Sequence, residues 1–165
     1  MRKTSIILLV LLVALGAWYI VTKSGADRET EVIREKMQFK VDDADDIYKI
    51  FITQRTKKPV LLTRSRDGWI LDSTYRANPF VMKGVLEVFE QVRVRFVPND
   101  KAVENAMPLM ATKGIKVELY DKNDEILQSY YIGAVTQTEK GTHFYKEGGD
   151  LPYVMEMPYG ESNIR

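Results

Sequence analysis

Ser5–Val21 reads SIILLVLLVALGAWYIV, a run without a single charge that follows Arg2 and Lys3 and ends near the aromatic pair Trp18–Tyr19. At ~1.5 Å per residue a helix of this length covers ~25 Å, near the lower limit of the ~17–25 residues expected of a transmembrane span. A helix satisfies its own backbone hydrogen bonds in hydrocarbon, so the segment can cross as one rod. Trp18 and Tyr19 then sit at the far membrane interface. Arg2 and Lys3 hold the amino terminus on the cytoplasmic side, although Lys23 and Arg28 weaken that bias. The competing reading is a cleaved signal peptide, with a basic start, an apolar core and small residues at Ser24 and Ala26. Either reading puts the rest of the chain outside the cytoplasm. The chain has no cysteine, which excludes a lipid-modified amino terminus.

Residues 1–26 hold three of the 24 basic side chains and none of the 23 acidic ones. The remainder therefore carries 21 basic against 23 acidic groups, a formal charge near −2. No broad basic face follows from that balance, and nucleic acid is not an expected partner. The 139 residues after Ala26 suit one domain with a proper core. The lack of cysteine also removes disulfides, thiolate metal sites and cysteine nucleophiles.

Outward from the anchor, residues 27–40 (DRETEVIREKMQFK) are charge-dense, with Val32, Ile33 and Met37 spaced for one helical face. They read as a helical stalk or as a disordered linker, and the folded body is expected over residues 41–165. Asp42, Asp43, Asp45 and Asp46 invite a calcium reading, but the alternating donors, central Gly and distant Glu of a calcium loop are missing. A solvated turn is expected there, and no metal.

Ile47–Thr53 and Pro59–Arg64 flank a polar link and suit a hairpin. Asp67–Gly68 marks a turn into a third strand, Trp69–Leu71, whose Trp69 reads as core. Asn78–Pro79 starts a helix, Asn as cap and Pro at the first helical position. From Phe80 on, Met82, Val85, Leu86 and Phe89 form an apolar stripe, which Val81, Val88 and Val92 broaden. Lys83, Glu87 and Glu90 are expected to face water. Val92–Val97 (VRVRFV) alternates, with Val92, Val94 and Phe96 on one face and Arg93 and Arg95 on the other. The two arginines are a candidate grip for an acidic partner, or a solvated face.

Asn99–Asp100 caps a second helix running to Thr112 and ended by Gly114. Pro108 lies inside it, which predicts a break or kink near Met107. Ile115–Tyr120 and Ile126–Ile132 form a further strand pair, and His143–Lys146 and Tyr153–Met157 complete the strands. The fold class expected is α+β: a transmembrane helix, then a mainly antiparallel sheet packed by about two helices.

Motifs for phosphate binding, a nucleophile elbow or a zinc protease are missing from the sequence. A serine–histidine–acid site needs His143, the sole histidine, against an acid and a hydroxyl. No cofactor is expected.

Ile47–Thr53, Gly68–Trp69, Tyr75-Arg76-Ala77 ahead of the 79–91 helix, Gly114-Ile115-Lys116-Val117-Glu118, and Tyr131-Ile132-Gly133-x-x-Thr136 with Gly141-Thr142 and Pro152-Tyr153-Val154 form one pattern. It resembles a bacterial envelope family of a domain of unknown function, whose members often accompany gliding-motility-type ABC transporter components. The resemblance covers roughly residues 40–160 and rests on turn glycines and strand ends, so it speaks to fold and carries over no catalytic residue. It implies that a further β-rich module can follow.

The function expected is therefore non-enzymatic. The chain reads as a single-pass protein of the bacterial inner membrane, its bulk in the periplasm, acting as a subunit or scaffold for other envelope or inner-membrane proteins. An exposed strand edge is a ready docking site, and Arg93, Arg95, Tyr130 and Tyr131 are the candidate partner-binding residues. The alternative is a glycan or small-ligand module in which Tyr130, Tyr131, Tyr145 and Tyr153 gather on one exposed patch. A periplasmic hydrolase built on His143 is the third reading.

Overall fold

The computed structural model describes residues 39–160 together with Asn163 and Ile164. The anchor with Arg2, Lys3, Trp18 and Tyr19, and the stalk up to residue 38, lie outside the described residues. Among the described residues no helix is long and apolar enough to cross a membrane.

The strands are β1 (Lys49–Gln54), β2 (Val60–Ser65), β3 (Gly68–Leu71), β4 (Tyr75–Arg76), β5 (Arg93–Phe96), β6 (Ile115–Tyr120), β7 (Ile126–Val135), β8 (Thr142–Lys146) and β9 (Tyr153–Glu156). Two helices interrupt them, α1 (Pro79–Gln91) and α2 (Asp100–Lys113). The described strands form one sheet in the order β4-β3-β2-β1-β6-β7-β8-β9-β5, and every pairing is antiparallel. The fold is α+β, a mainly antiparallel sheet with two helices. Two meanders meet at the β1–β6 pair: β1 to β4 runs out to one edge, β6 to β9 towards the other. The chain passes from β4 through α1 to the far edge strand β5, and returns through α2 to the middle.

The register follows from strand alternation. Ile50 faces Leu119 and Ile52 faces Val117 across β1–β6, while Tyr130 faces Val117 and Ile132 faces Ile115 across β6–β7. One face of the sheet thus becomes apolar. α1 covers it, burying Met82 and Phe89 against a cluster that includes Ile50, Leu62, Trp69, Leu119, Phe144 and Met155. Asn78 caps α1 by accepting from the Phe80 N–H at 2.9 Å. Phe39 belongs to this core. It is 1% exposed and meets the rings of Tyr130, Phe144 and Tyr153 edge-on at 6.1, 6.1 and 5.5 Å. The last residue but one of the expected stalk is thereby a core residue, and Val41 N–H ties the same segment to the Phe89 carbonyl at 2.8 Å.

α2 packs on the opposite face. Its buried residues are Ala106 and Met110, and Met110 lies against Gly133 of β7. The helix runs through Pro108; of the break or kink expected near Met107, the break does not occur. Pro108 and Glu104, whose carbonyl loses its helical partner, are both exposed, so the freed group is not buried in the core. Thr112 Oγ1 donates to the Pro108 carbonyl at 2.8 Å and holds the next turn.

Three further expectations change. Phe80 and Val81 do not join the α1 stripe; both are exposed. At ~100° per residue Phe80 lies ~160° round the helix from Met82. Glu90 does not face water only: its Oε1 accepts from the Ala44 N–H at 2.8 Å and fastens the turn ahead of β1 to α1. The clean alternation of VRVRFV also fails. Val94 pairs with Met155 and Phe96 with Val154, so Arg95 is the extra residue of a β-bulge. Phe96 thereby swings to the face that carries α2.

Candidate functional site

Arg93 and Arg95 converge on one acid. Arg93 donates to Glu156 Oε1 through Nε at 3.1 Å and Nη2 at 2.9 Å, and Arg95 Nη1 donates to Oε2 at 2.6 Å. Arg93 and Arg95 share one face of β5, as alternation requires, and that face carries Glu156 of the paired strand. Glu156 is mostly buried, its side chain 13% exposed. The pair therefore ties β5 to β9 first, and offers one surplus positive charge to solvent.

The tyrosines divide between the two faces. Tyr130 is 0% exposed, so its role as a partner-binding residue is corrected: it is core, and no described residue hydrogen-bonds its hydroxyl. Burial pushes that hydroxyl's pKa well above the ordinary tyrosine value. Tyr153 packs with it through Phe39. Tyr131 and Tyr145 point the other way and stand side by side, ring centres 6.3 Å apart. The single patch of four tyrosines does not form, because neighbours on a strand face opposite sides.

Tyr131 and Tyr145 belong to a charged outer face. Lys116 Nζ lies 2.9 Å from both Glu118 Oε1 and Glu147 Oε1. Ser129 Oγ donates to Glu147 Oε2 at 2.5 Å, and Tyr120 donates to Glu118 Oε2 at 2.9 Å. Lys49 sits 3.9 Å over the Tyr120 ring and pairs with Asp124. The Glu118 and Glu147 hydrogen bonds hold Lys116 above its ordinary pKa. The Ser129 and Lys116 hydrogen bonds hold Glu147 below its own. The carboxylates of this face are already paired, so the network stiffens the sheet rather than presenting reactive acids.

His143 lies opposite a second bulge. Ile132 pairs with Phe144 but Val135 with Thr142, so Gly133 and Ala134 together oppose His143. Its Nδ1 is 3.0 Å from the Ala134 carbonyl. Among the described residues no hydrogen bond or ion pair joins the ring to an acid or a hydroxyl. His143 does line a cleft of about 490 Å³ between α2 and the β7–β8 end of the sheet. A second cleft, of about 480 Å³, lies between β3 and α1, lined by Trp69, Arg76, Met82, Lys83, Leu86 and Glu87 among others.

The sheet edges are poor docking templates, contrary to expectation. β4 has two residues; β5 has four, carries two arginines and is bulged. Short, charged and bulged edges resist pairing with another chain. The large apolar side chains left to solvent include Tyr75 of β4 itself, at 66%, and Phe80 at 87% and Val81 at 60% exposure in the first turn of α1. Sequence reasoning missed this group because it counted Phe80 and Val81 with the buried stripe; the helical angle between Phe80 and Met82 was the available signal.

No family model, curated protein or solved structure matches the chain.

Proposed function

We propose that this chain is a non-enzymatic, membrane-tethered subunit of the bacterial cell envelope. In this reading residues 1–26 hold it in the inner membrane, and its folded body in the periplasm docks other envelope proteins, as an accessory of a transporter or motility complex. The observation that carries the reading is the exposure of Tyr75, Phe80 and Val81. Exposed apolar side chains mark contact sites where they form a patch, and these three lie within seven positions of one another in the sequence. A tether adds to this by raising the local concentration of the body near membrane partners. The setting is supported by the charge-free run Ser5–Val21. Binding is favoured over hydrolysis because His143 is fastened to main chain rather than to an acid.

The test is site-specific photocrosslinking of the full chain in its native membrane, with p-benzoylphenylalanine in place of Phe80. The control carries it in place of Tyr159, which is fully exposed. A discrete protein adduct from position 80, lost when Tyr75→Ser and Val81→Ser are added, supports the reading. Equal labelling from both positions, or none from position 80, overturns it.

A further inference from the structure

The cleft beside α2 combines three properties that none of the preceding roles uses. Its volume of about 490 Å³ lies within the ~300–1,000 Å³ of clefts that hold small ligands. Its floor is apolar, with Phe96, Ala106, Leu109, Met110 and Val154 among the lining residues. Two bulges shape it: the one at Arg95 brings Phe96 to this side, and the one at Gly133–Ala134 sets His143 under the helix.

The charged side chain that lines it is a cation. Lys101 and His143 line the cleft, and no carboxylate does. Among the described residues Lys101 has no ion pair or hydrogen bond. His143 donates Nδ1–H to the Ala134 carbonyl, so its Nε2 accepts while the ring is neutral and donates to a carboxylate only when the ring is protonated. Asp100 adjoins Lys101 in the chain but is not part of the lining. An unpaired cation beside an apolar cleft free of acids is complementary to a molecule with an apolar body and an anionic end.

We propose that this cleft binds a small amphipathic carboxylate, its hydrocarbon body on the Phe96–Leu109–Met110 floor and its carboxylate at Lys101. The site shares no lining residue with the Tyr75–Val81 surface, so it stands or falls separately from the docking reading.

The experiment uses the full chain in lipid nanodiscs and an aliphatic carboxylate of about ten carbons bearing a diazirine, with adducts mapped by mass spectrometry. Labelling is expected in peptides spanning residues 96–110 and 134–143. Octanoate should compete, and octanol and octylamine should not. Lys101→Met leaves the fold untouched, since the side chain has no described partner, and should weaken octanoate competition roughly tenfold, as expected for a lost charged contact. Ala106→Trp should fill the cleft and abolish labelling there. Labelling spread evenly over the surface or confined to residues 1–26, octylamine competing as well as octanoate, or an unchanged Lys101→Met profile each overturns the proposal.

Discussion

Gly133 and Met110 approach so closely that a Cβ built on Gly133 lies 2.8 Å from Met110 Cγ. The same added atom meets the Cβ and carbonyl oxygen of His143 at 3.3 Å. The lack of a side chain at Gly133 is thus what lets α2 lie on β7. Gly133→Ala forces Met110 to move, and Gly133→Val forces the helix to move.

The expected cost of Gly133→Val is about 1–3 kcal/mol, the range for overpacking a filled site. Gly133→Ala should cost less, because the methionine chain is flexible. Adding Met110→Ala to Gly133→Ala should recover part of the loss, since the two changes share one contact. Urea unfolding of the four variants measures this. A purely additive double variant would show that the two residues do not act on each other.

Tyr130→Phe tests the buried hydroxyl. No described residue bonds it, so its removal leaves no broken hydrogen bond and relieves a desolvated polar group, worth about 1–3 kcal/mol where unpaired. The variant should match or exceed the parent protein near pH 7. The two should then separate in alkali. Burial raises the hydroxyl pKa in the folded state, so above the ordinary value of 10.0 the unfolded state loses a proton that the folded state keeps. Stability of the parent falls as pH rises through that window, and the variant escapes this share of the fall. A Tyr130→Phe protein less stable than its parent by more than about 1 kcal/mol means the hydroxyl has a partner.

Phe80 and Phe89 lie on one helix and should behave as opposites. Phe89 is 4% exposed and Phe80 is 87% exposed. Phe89→Ala should cost about 3–5 kcal/mol, as for a buried ring replaced by a cavity. Phe80→Ser should stay within about 0.5 kcal/mol of the parent. Thermal unfolding separates them. A large loss at Phe80 would place that ring in a packed environment and remove the reason for treating it as a contact surface.

How far these relationships could be read from the chain depends on their range. Alternation in IKVELY placed Val117 and Leu119 on the inner face without help, and the Asn78–Pro79 start gave α1 its first residue. Local chemistry was enough in both places. The same alternation already forbids Tyr130 and Tyr131 from sharing a patch. The bulges at Arg95 and Gly133–Ala134 have no such local mark. A one-residue slip turns every following side chain to the other face, and where it falls is set by the partner strand. The placement of Phe96 and the His143 cleft both depend on such slips. Phe39 joined the core through rings about 90 to 115 residues away in sequence, a contact invisible to any short window.

The Lys116–Glu147 pair gives the outer face a defined pH response. The hydrogen bond from Ser129, then that from Lys116, holds Glu147 below its ordinary value of 4.5. A lowered acid contributes stability above its unfolded pKa and loses it as pH falls through its folded pKa. The parent should therefore exceed Glu147→Gln by a constant margin between about pH 6 and 10, and the margin should close as the pH drops below 4.5. Its size is limited, because the Glu147 side chain is 46% exposed and water screens the pair; less than about 1 kcal/mol is expected. Lys116 acts at the other end. Its hydrogen bonds to Glu118 and Glu147 raise it above 10.5, so its share is complete below that pH and is lost as the pH climbs through the folded value. Ser129→Ala should shrink the acid-side margin and leave the alkaline one largely in place. Melting temperatures from pH 3 to about 11 for the parent, Glu147→Gln and Ser129→Ala resolve the acid limb and the onset of the alkaline one, which begins above 10.5. A margin that widened on acidification would contradict the assignment of Glu147 as the depressed acid.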